Sequence, residues 1–234
     1  MRWSPFAVLL FCAACGGSSP TSPTPAPSPT PTPAPPPPPV APALIDVQPC
    51  PPQIVGFAVD LGFYQQIGCN TFDGPPQPVR RWTRSPSLYI RTVDEAGAAI
   101  DAVTLDTVQR AMTEVAPLLS AGKIALTVER GSDTRVGVSG WITVRWPATA
   151  DSAPACGVST VASDGGWIQL NYKVTTCGCN GSKMRSRTAR HELGHALGYW
   201  HTDNAGDLMA GLQVAGCDAM PSAREQQAIA YHYR

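Results

Sequence analysis

Proline constrains this chain more than any other residue. Of its 25 prolines, 13 fall between Pro20 and Pro42, and no charged residue occurs between Trp3 and Ile45. Proline lacks the backbone N–H that helices and sheets require, so residues 16–43 are predicted to be a disordered linker with extended polyproline II character. Folding is therefore confined to about 190 residues after this linker, a length that suits one domain.

The first fifteen residues have the pattern of an export signal. Arg2 supplies a positive charge, residues 6–11 form a short apolar run, and small residues precede Cys15. This order resembles a bacterial lipobox, which implies that Cys15 is lipidated. Ordinary signal-peptide cleavage is the alternative, because Cys12 stands where a lipobox usually carries leucine. We expect a protein of the bacterial cell envelope or the extracellular space.

Charge and hydropathy narrow the set of partners. Lysine plus arginine and aspartate plus glutamate number 17 each, so the chain has no basic surplus with which to bind nucleic acid. No apolar run reaches the roughly 18 residues of a transmembrane helix. We expect a monomer that contacts a membrane only through a lipid anchor.

Six cysteines follow the signal and the linker. An even number in an exported chain predicts three disulfides, with 15 pairings open. A metal clip at Cys177 and Cys179 is a weaker interpretation, because no second close pair completes four ligands. The six are Cys50, Cys69, Cys156, Cys177, Cys179 and Cys217.

The most informative stretch reads His-Glu-Leu-Gly-His-Ala-Leu-Gly-Tyr-Trp-His, residues 191–201. His191 and His195 lie four residues apart, so a helix would place both on one face, within reach of one metal ion. Gly198 would allow that helix to end in a left-handed turn, which brings back His201 as a third ligand. Three imidazoles with a fourth position open for water predict a catalytic zinc site.

Glu192 follows the first histidine and would lie beside the metal without binding it. This position suits a general base that takes a proton from the attacking water. Three of the four histidines in the chain occupy ligand positions, so a chance match explains the pattern poorly. The fourth, His232, is predicted to be a surface residue.

The pattern HExxHxxGxxH resembles the signature of the metzincin metallopeptidases. A methionine also follows, in Asp207-Leu208-Met209, with Met209 eight residues after His201. This spacing is most similar to the matrixins, whereas Gly211 stands where astacins have a tyrosine ligand. The resemblance implies a zinc endopeptidase in which Met209 forms an apolar floor beneath the three imidazoles.

The resemblance covers roughly residues 87–234 and implies an α+β fold. The expected architecture is a twisted mixed sheet with an antiparallel edge strand, packed on an active-site helix and an earlier long helix. A small irregular C-terminal part with the Met-turn and a final helix would follow. Residues 44–86 match no known pattern and form an N-terminal extension of unknown role.

Local patterns place several elements independently of the resemblance. Asp101 is predicted to cap a helix that Pro117 ends, and Ser222 with Glu225 predicts a capping box. Alternating apolar residues predict strands at 87–93, 124–129, 141–146 and 167–172.

The resemblance assigns the last of these strands a role. It implies that the strand is the antiparallel edge strand, to which an extended polypeptide substrate adds by β-augmentation. The candidate substrate-binding residues are Gly166, Trp167, Ile168, Gln169 and Leu170.

The position of the cysteines in such a fold predicts their pairing. We expect Cys217 to pair with Cys177 or Cys179, and Cys156 to pair with the other, so that loops beside the cleft are tied together. A Cys177–Cys179 bond is disfavoured, because it closes a strained ring. Cys50 is expected to pair with Cys69. The alternative is zinc ligation by Cys50, as in the latent matrixins.

Two clusters of charged residues have simpler interpretations than a binding site. A basic group before the active-site helix is predicted to be a solvated face rather than a site for acidic substrates; its members are Lys183, Arg185, Arg187 and Arg190. An acidic group after His201 is predicted to serve turns and caps, since its spacing is not that of an EF-hand calcium loop; its members are Asp203, Asn204 and Asp207.

Two other functions stay open at this point. One is a zinc hydrolase that acts on a non-protein amide of the cell wall, which a strand suited to extended peptides argues against. The other is an inactive surface binding module on the same scaffold. The presence of Glu192 argues against that second alternative.

Overall fold

The computed structural model describes residues 44–152, 155–211 and 216–234. Cys15, the signal and the linker lie outside these residues. The described chain has the predicted α+β class. Its helices and strands, in chain order, are β1 (Ile45–Gln48), α1 (Leu61–Cys69), β2 (Val79–Trp82), β3 (Ser87–Arg91), α2 (Ala102–Val115), β4 (Thr127–Gly131), β5 (Trp141–Arg145), β6 (Gly157–Val161), β7 (Gly166–Leu170), α3 (Ser186–Ala196) and α4 (Ala223–His232).

A five-stranded mixed sheet forms the centre of the molecule. Its strand order is β4-β3-β5-β7-β6, in which β6 is antiparallel to β7 and the other neighbours are parallel. The inner strands carry aliphatic residues at alternate positions, so these side chains lie on one face of the sheet and form part of the core. Their fully buried side chains include Leu88, Ile90, Ile142, Val144, Ile168 and Leu170.

The prediction that residues 167–172 form the antiparallel edge strand is wrong. Most of that segment belongs to β7, which lies inside the sheet between β5 and β6. The antiparallel edge strand is β6. The reason is burial: Ile168 and Leu170 are fully buried, whereas Val158 of β6 is 44% exposed. Fully buried apolar residues such as these favour an inner position, because a sheet that continues on both sides of the strand removes more apolar surface from water.

Helix capping follows the local sequence. The side chain of Asp101 accepts a hydrogen bond from the backbone N–H of Thr104, and α2 ends just before Pro117. Ser222 and Glu225 form the reciprocal capping box that opens α4. Both capping predictions are confirmed. They could be made from the sequence because each cap depends on residues only a few positions apart.

The N-terminal extension, residues 44–86, packs into the same core as the rest of the described chain. β1 and β2 form a small antiparallel sheet. The ring of Tyr64 in α1 stacks edge-on against Tyr231 of α4, with ring centroids 4.7 Å apart. The indole N–H of Trp82 donates to the backbone oxygen of Ala196, at 2.9 Å, and so satisfies a carbonyl at the end of α3.

Two predictions about surface residues are wrong. His232 is only 2% exposed and lies between the Tyr64 hydroxyl and the backbone oxygen of Arg80. Arg190 is 5% exposed and pairs with Glu114 and Asp218. Both residues are buried by partners distant in the sequence, which local patterns do not reveal.

Three disulfides join the cysteines in the expected arrangement. They are Cys50–Cys69, Cys156–Cys177 and Cys179–Cys217, with Cα–Cα distances of 5.8, 5.4 and 5.7 Å. Disulfides of this number are typical of exported proteins. None of the helices in the described ranges is long and apolar enough to cross a membrane.

Candidate metal centre

Helix α3 carries the first two histidines of the predicted site. His191 and His195 lie one turn apart on the face of α3 that borders a cleft, and their Nε2 atoms are 3.1 Å apart. The helix packs against α2 on one side and against β6 on another. Helical spacing alone brings these two imidazoles together.

Gly198 ends α3 and redirects the chain toward the third histidine. Its φ of +106° lies in the left-handed region, and a Cβ atom there would overlap the backbone oxygen of Arg80. Only glycine therefore fits this position. The chain then returns so that Nε2 of His201 lies 3.1 Å from Nε2 of His195.

Each imidazole is held through its second ring nitrogen. Nδ1 of His191 donates to the backbone oxygen of Leu208, and Nδ1 of His195 donates to that of Tyr199, both at 2.8 Å. Nδ1 of His201 lies 2.7 Å from a carboxylate oxygen of Asp73. Because these partner oxygens only accept, the proton of each neutral ring belongs on Nδ1.

This arrangement leaves three Nε2 lone pairs that converge on one point. Burial holds the pKa of His191 near 4 and that of His195 well below its usual range, so both rings are neutral at pH 7. Lone pairs directed at one another repel unless a cation lies between them. Within the residues that the structure describes, these histidines are the one group of three or more His, Cys, Asp or Glu residues that could hold a metal ion.

Glu192 is buried beside the histidines and lines the same cleft. Burial raises the pKa of its carboxyl group to about 7, against the opposing effect of a hydrogen bond from Ser159. The Ser159 hydroxyl donates to Oε2 of Glu192 at 2.7 Å. A Cβ atom at Gly157 would lie 2.6 Å from Oε1, so the glycine leaves room for this carboxylate.

Met209 is fully buried and lies against α3. Its side chain fills the space next to Gly194, where a Cβ atom would overlap the sulfur. The backbone N–H groups of Leu208 and Met209 donate to the carboxylate of Glu225, which anchors this turn to α4. The same Leu208 accepts the hydrogen bond from His191, so α4 supports the first imidazole indirectly.

The cleft around the histidines has a volume of about 640 Å³. One wall is the outer edge of β6 together with the residues just before it. A second wall comes from the N-terminal extension, through Asn70, Asp73, Gln77 and Arg80. The extension is thus part of the site rather than an appendage to it.

Several predicted site residues lie elsewhere. The segment from Gly166 to Leu170 is absent from the cleft lining, because β6 lies between β7 and the cleft. The segment after Met209, residues 210–218, is described only in part, since residues 212–215 lie outside the described ranges. Asp207 is buried against Arg224 and accepts from Thr202, so protein contacts already occupy its carboxylate.

Sequence reasoning missed two residues at the site. Ser159 lies in a short alternating run that could have been read as a strand facing the helix. Asp73 lies 128 positions from His201, and no local pattern points to it.

The disulfides are placed around this cleft. The Cys156–Cys177 bond ties the start of β6 to the loop after β7, and the Cys179–Cys217 bond ties that loop to the segment after the Met-turn. The Cys50–Cys69 bond holds the end of α1.

Comparison with models of known protein families gives no match, and no curated protein sequence matches the chain. The interpretation of the site therefore depends on its own geometry.

Proposed function

We propose that this protein is an exported, zinc-dependent endopeptidase of the metzincin type, most similar to the matrixins. The observation that carries the proposal is the convergence of three histidine Nε2 atoms next to the buried carboxylate of Glu192, in an open cleft. An acid or base next to a three-histidine site is the arrangement that metal-assisted hydrolysis requires.

The donor set favours zinc. A tetrahedral zinc site with zinc–nitrogen distances of about 2.0–2.1 Å has ligand nitrogens roughly 3.3 Å apart. The Nε2 atom of His195 lies 3.1 Å from that of His191 and 3.1 Å from that of His201, which agrees with this value. His191, His195 and His201 would hold the ion, which when bound supplies Lewis-acid polarisation and lowers the pKa of water.

We assign the proton transfers of the reaction to Glu192. Ser159 engages Oε2 of Glu192, so we assign proton transfer to Oε1. That oxygen would take a proton from the attacking water and return it to the leaving amine nitrogen. The raised pKa of Glu192, near 7, suits a group that must both accept and release a proton.

The outer edge of β6 suits an extended peptide. β6 pairs with β7 along one side only, and its other side borders the cleft. A substrate strand could add to that edge by backbone hydrogen bonds and so lie across the histidines. This assignment replaces residues 166–170 as the substrate-binding strand.

The test is hydrolysis of casein or gelatin by the purified protein. We expect cleavage that a chelator abolishes and that stoichiometric zinc restores, together with one zinc per chain by metal analysis. Zinc-loaded, folded protein that cleaves no polypeptide would contradict the endopeptidase proposal. Cleavage of a cell-wall amide by the same sample would then favour the alternative hydrolase.

We further propose that lipidation of Cys15 attaches the protein to the cell envelope, because that residue follows a lipobox-like run. Mass spectrometry of the mature N-terminus checks this. Mature protein that begins elsewhere, without a lipid, would contradict it.

A further inference from the structure

One carboxylate reaches the metal centre from outside the histidine motif. Oδ2 of Asp73 lies 2.7 Å from Nδ1 of His201, although the two residues are 128 positions apart. The contact is on the ring nitrogen opposite the Nε2 atom that faces the other histidines. Asp73 therefore cannot bind the ion in this arrangement, but it can orient the ring that does.

The third imidazole differs from the other two in how it is held. His191 and His195 donate to backbone oxygens of Leu208 and Tyr199, and both rings are more buried than that of His201, whose side chain is 30% exposed. A half-buried ring on a loop has more rotational freedom than one on a helix. A charged acceptor is thus placed where the ligand has least support from packing.

The segment that carries Asp73 is itself well anchored. Asn70 ends α1 in the left-handed conformation, and the N–H of Gln77 donates to the backbone oxygen of Cys69, which closes the loop between them. Cys69 is bonded to Cys50. The position of Asp73 is therefore defined by a helix end, a hydrogen-bonded loop and a disulfide.

The end of α1 also forms hydrogen bonds with the loop that carries His201. The backbone N–H of Trp200 donates to the backbone oxygen of Ile67 at 2.7 Å, and the N–H of Asp203 donates to the side chain of Gln66 at 3.2 Å. These two contacts flank His201 on either side. Together with Asp73 they place the third ligand from the N-terminal extension.

We propose that Asp73 is a positioning residue of the metal centre and that residues 44–86 complete that centre by holding His201. A carboxylate bonded to the second nitrogen of a metal-binding histidine selects the tautomer, orients the ring and raises its basicity. This inference rests on the proposed zinc site and extends it to a segment that the histidine motif does not include.

The test is zinc affinity, measured on the full chain by competition with a fluorescent chelator. Asp73→Ala is expected to weaken zinc binding roughly 10- to 100-fold, the usual effect of removing such a partner. Asp73→Asn should weaken it less, because the amide oxygen still accepts from Nδ1 but carries no charge. Asp46→Asn is the matched control: it removes a carboxylate of the same extension, paired with Arg81 rather than with a histidine.

A second readout separates positioning from general folding. Nitrogen-15 NMR of the metal-free protein should show His201 protonated on Nδ1 in the wild type and in Asp46→Asn, and a mixture of tautomers in Asp73→Ala. If Asp73→Ala does not fold, the same two measurements on Asp73→Asn test the inference, because asparagine has the same shape as aspartate. Zinc affinity and tautomer unchanged in folded Asp73 variants would overturn the inference.

Failure of this inference and failure of the proposed function have different signatures. Weakened zinc binding in the Asp73 variants, with no peptidase activity in the wild type, would uphold the positioning role and reject the endopeptidase. Wild-type peptidase activity, together with a zinc affinity that the Asp73 substitutions do not change, would support the endopeptidase and reject the positioning role.

Discussion

At the residue scale, Glu192 and the histidines are next to one another in sequence but have different roles. The histidines direct their Nε2 atoms toward a common point. Glu192 is held apart from them by the Ser159 hydroxyl on one side and by the absence of a side chain at Gly157 on the other. The metal-binding role that we propose for the histidines and the base role that we propose for Glu192 are thus separable by mutation.

We predict that Glu192→Gln retains zinc and loses turnover. The carboxylate is not a ligand in this arrangement, so metal content should match that of the wild type. Loss of a general base should lower kcat by roughly 10²–10⁴-fold. Metal analysis and peptide-cleavage kinetics on the same sample measure both effects.

The control for this prediction is Glu129→Gln, an equal change of charge at an exposed position on β4. It should behave as the wild type. A Glu192→Gln variant that keeps most of its activity would show that another group takes the proton.

At the scale of elements, the end of α3 decides whether the three histidines can meet. Gly198 joins the helix that carries His191 and His195 to the loop that carries His201. It meets two demands at once: a left-handed backbone conformation and close approach of the Arg80 carbonyl. A side chain here would be strained by its φ and would also push the N-terminal extension away.

We predict that Gly198→Ala destabilises the fold and weakens zinc binding together. The left-handed conformation alone costs an alanine about 1–2 kcal/mol, and overlap with Arg80 adds to that cost. Urea unfolding and chelator competition measure the two effects. Because displacement of the chain at position 198 moves His201, we expect the free energy of unfolding and the zinc affinity to decrease together.

The matched control is Gly97→Ala, because Gly97 has a φ of +85° and a Cβ atom added there would meet nothing within 4 Å. Gly97→Ala should lose stability through the left-handed backbone conformation alone, without overlap with a neighbouring atom. Gly97 also lies in a turn far along the chain from the histidine motif. Equal losses of stability in the two variants, with zinc affinity intact in both, would contradict the role given to the Arg80 contact.

At the scale of the whole molecule, the extension and the final helix share a buried interface centred on His232. Its ring contacts Tyr64 of α1, the backbone of Arg80 and the ring of Tyr199. Burial lowers the pKa of His232 to about 4, assisted by the positive charges of Arg81 and Arg234. The folded protein therefore holds this histidine neutral at pH values where an unfolded chain would protonate it.

We predict an acid-sensitive stability that depends on His232. Its folded pKa lies below the unfolded value of about 6.5, so the unfolded state gains protons first as the pH falls. Stability should decrease from about pH 6.5 toward pH 4, by about 2 kcal/mol between pH 7 and pH 5 from this residue. Urea unfolding of the wild type and of His232→Gln at both pH values measures the difference. An identical pH dependence in the two proteins would contradict the prediction.

Much of the local structure was predictable because it depends on near neighbours. Asp101 caps α2 through a residue three positions away, and Ser222 with Glu225 does the same for α4. His191 and His195 share a face because a helix repeats every 3.6 residues. The fold implied by the resemblance reduced the pairing of Cys156, Cys177, Cys179 and Cys217 to two alternatives, and the structure has Cys156–Cys177 with Cys179–Cys217.

Other features required the assembled fold. The identity of the edge strand depends on which side of β7 the sheet continues, and the burial of His232 and Arg190 depends on partners far along the chain. Alternation within a segment reports that a strand exists and which face is apolar, but not its neighbours. These are properties of tertiary packing.

The three histidines, Glu192 and the glycine that turns the chain could be identified without a structure, since they all lie within eleven consecutive residues. The position of β6 beside the cleft and the contact of Asp73 with His201 emerged from tertiary packing. The physical reason is range: helical spacing and backbone conformation act over a few residues, whereas a contact across 128 positions exists only after α1, the Cys50–Cys69 bond and the end of α3 have packed together.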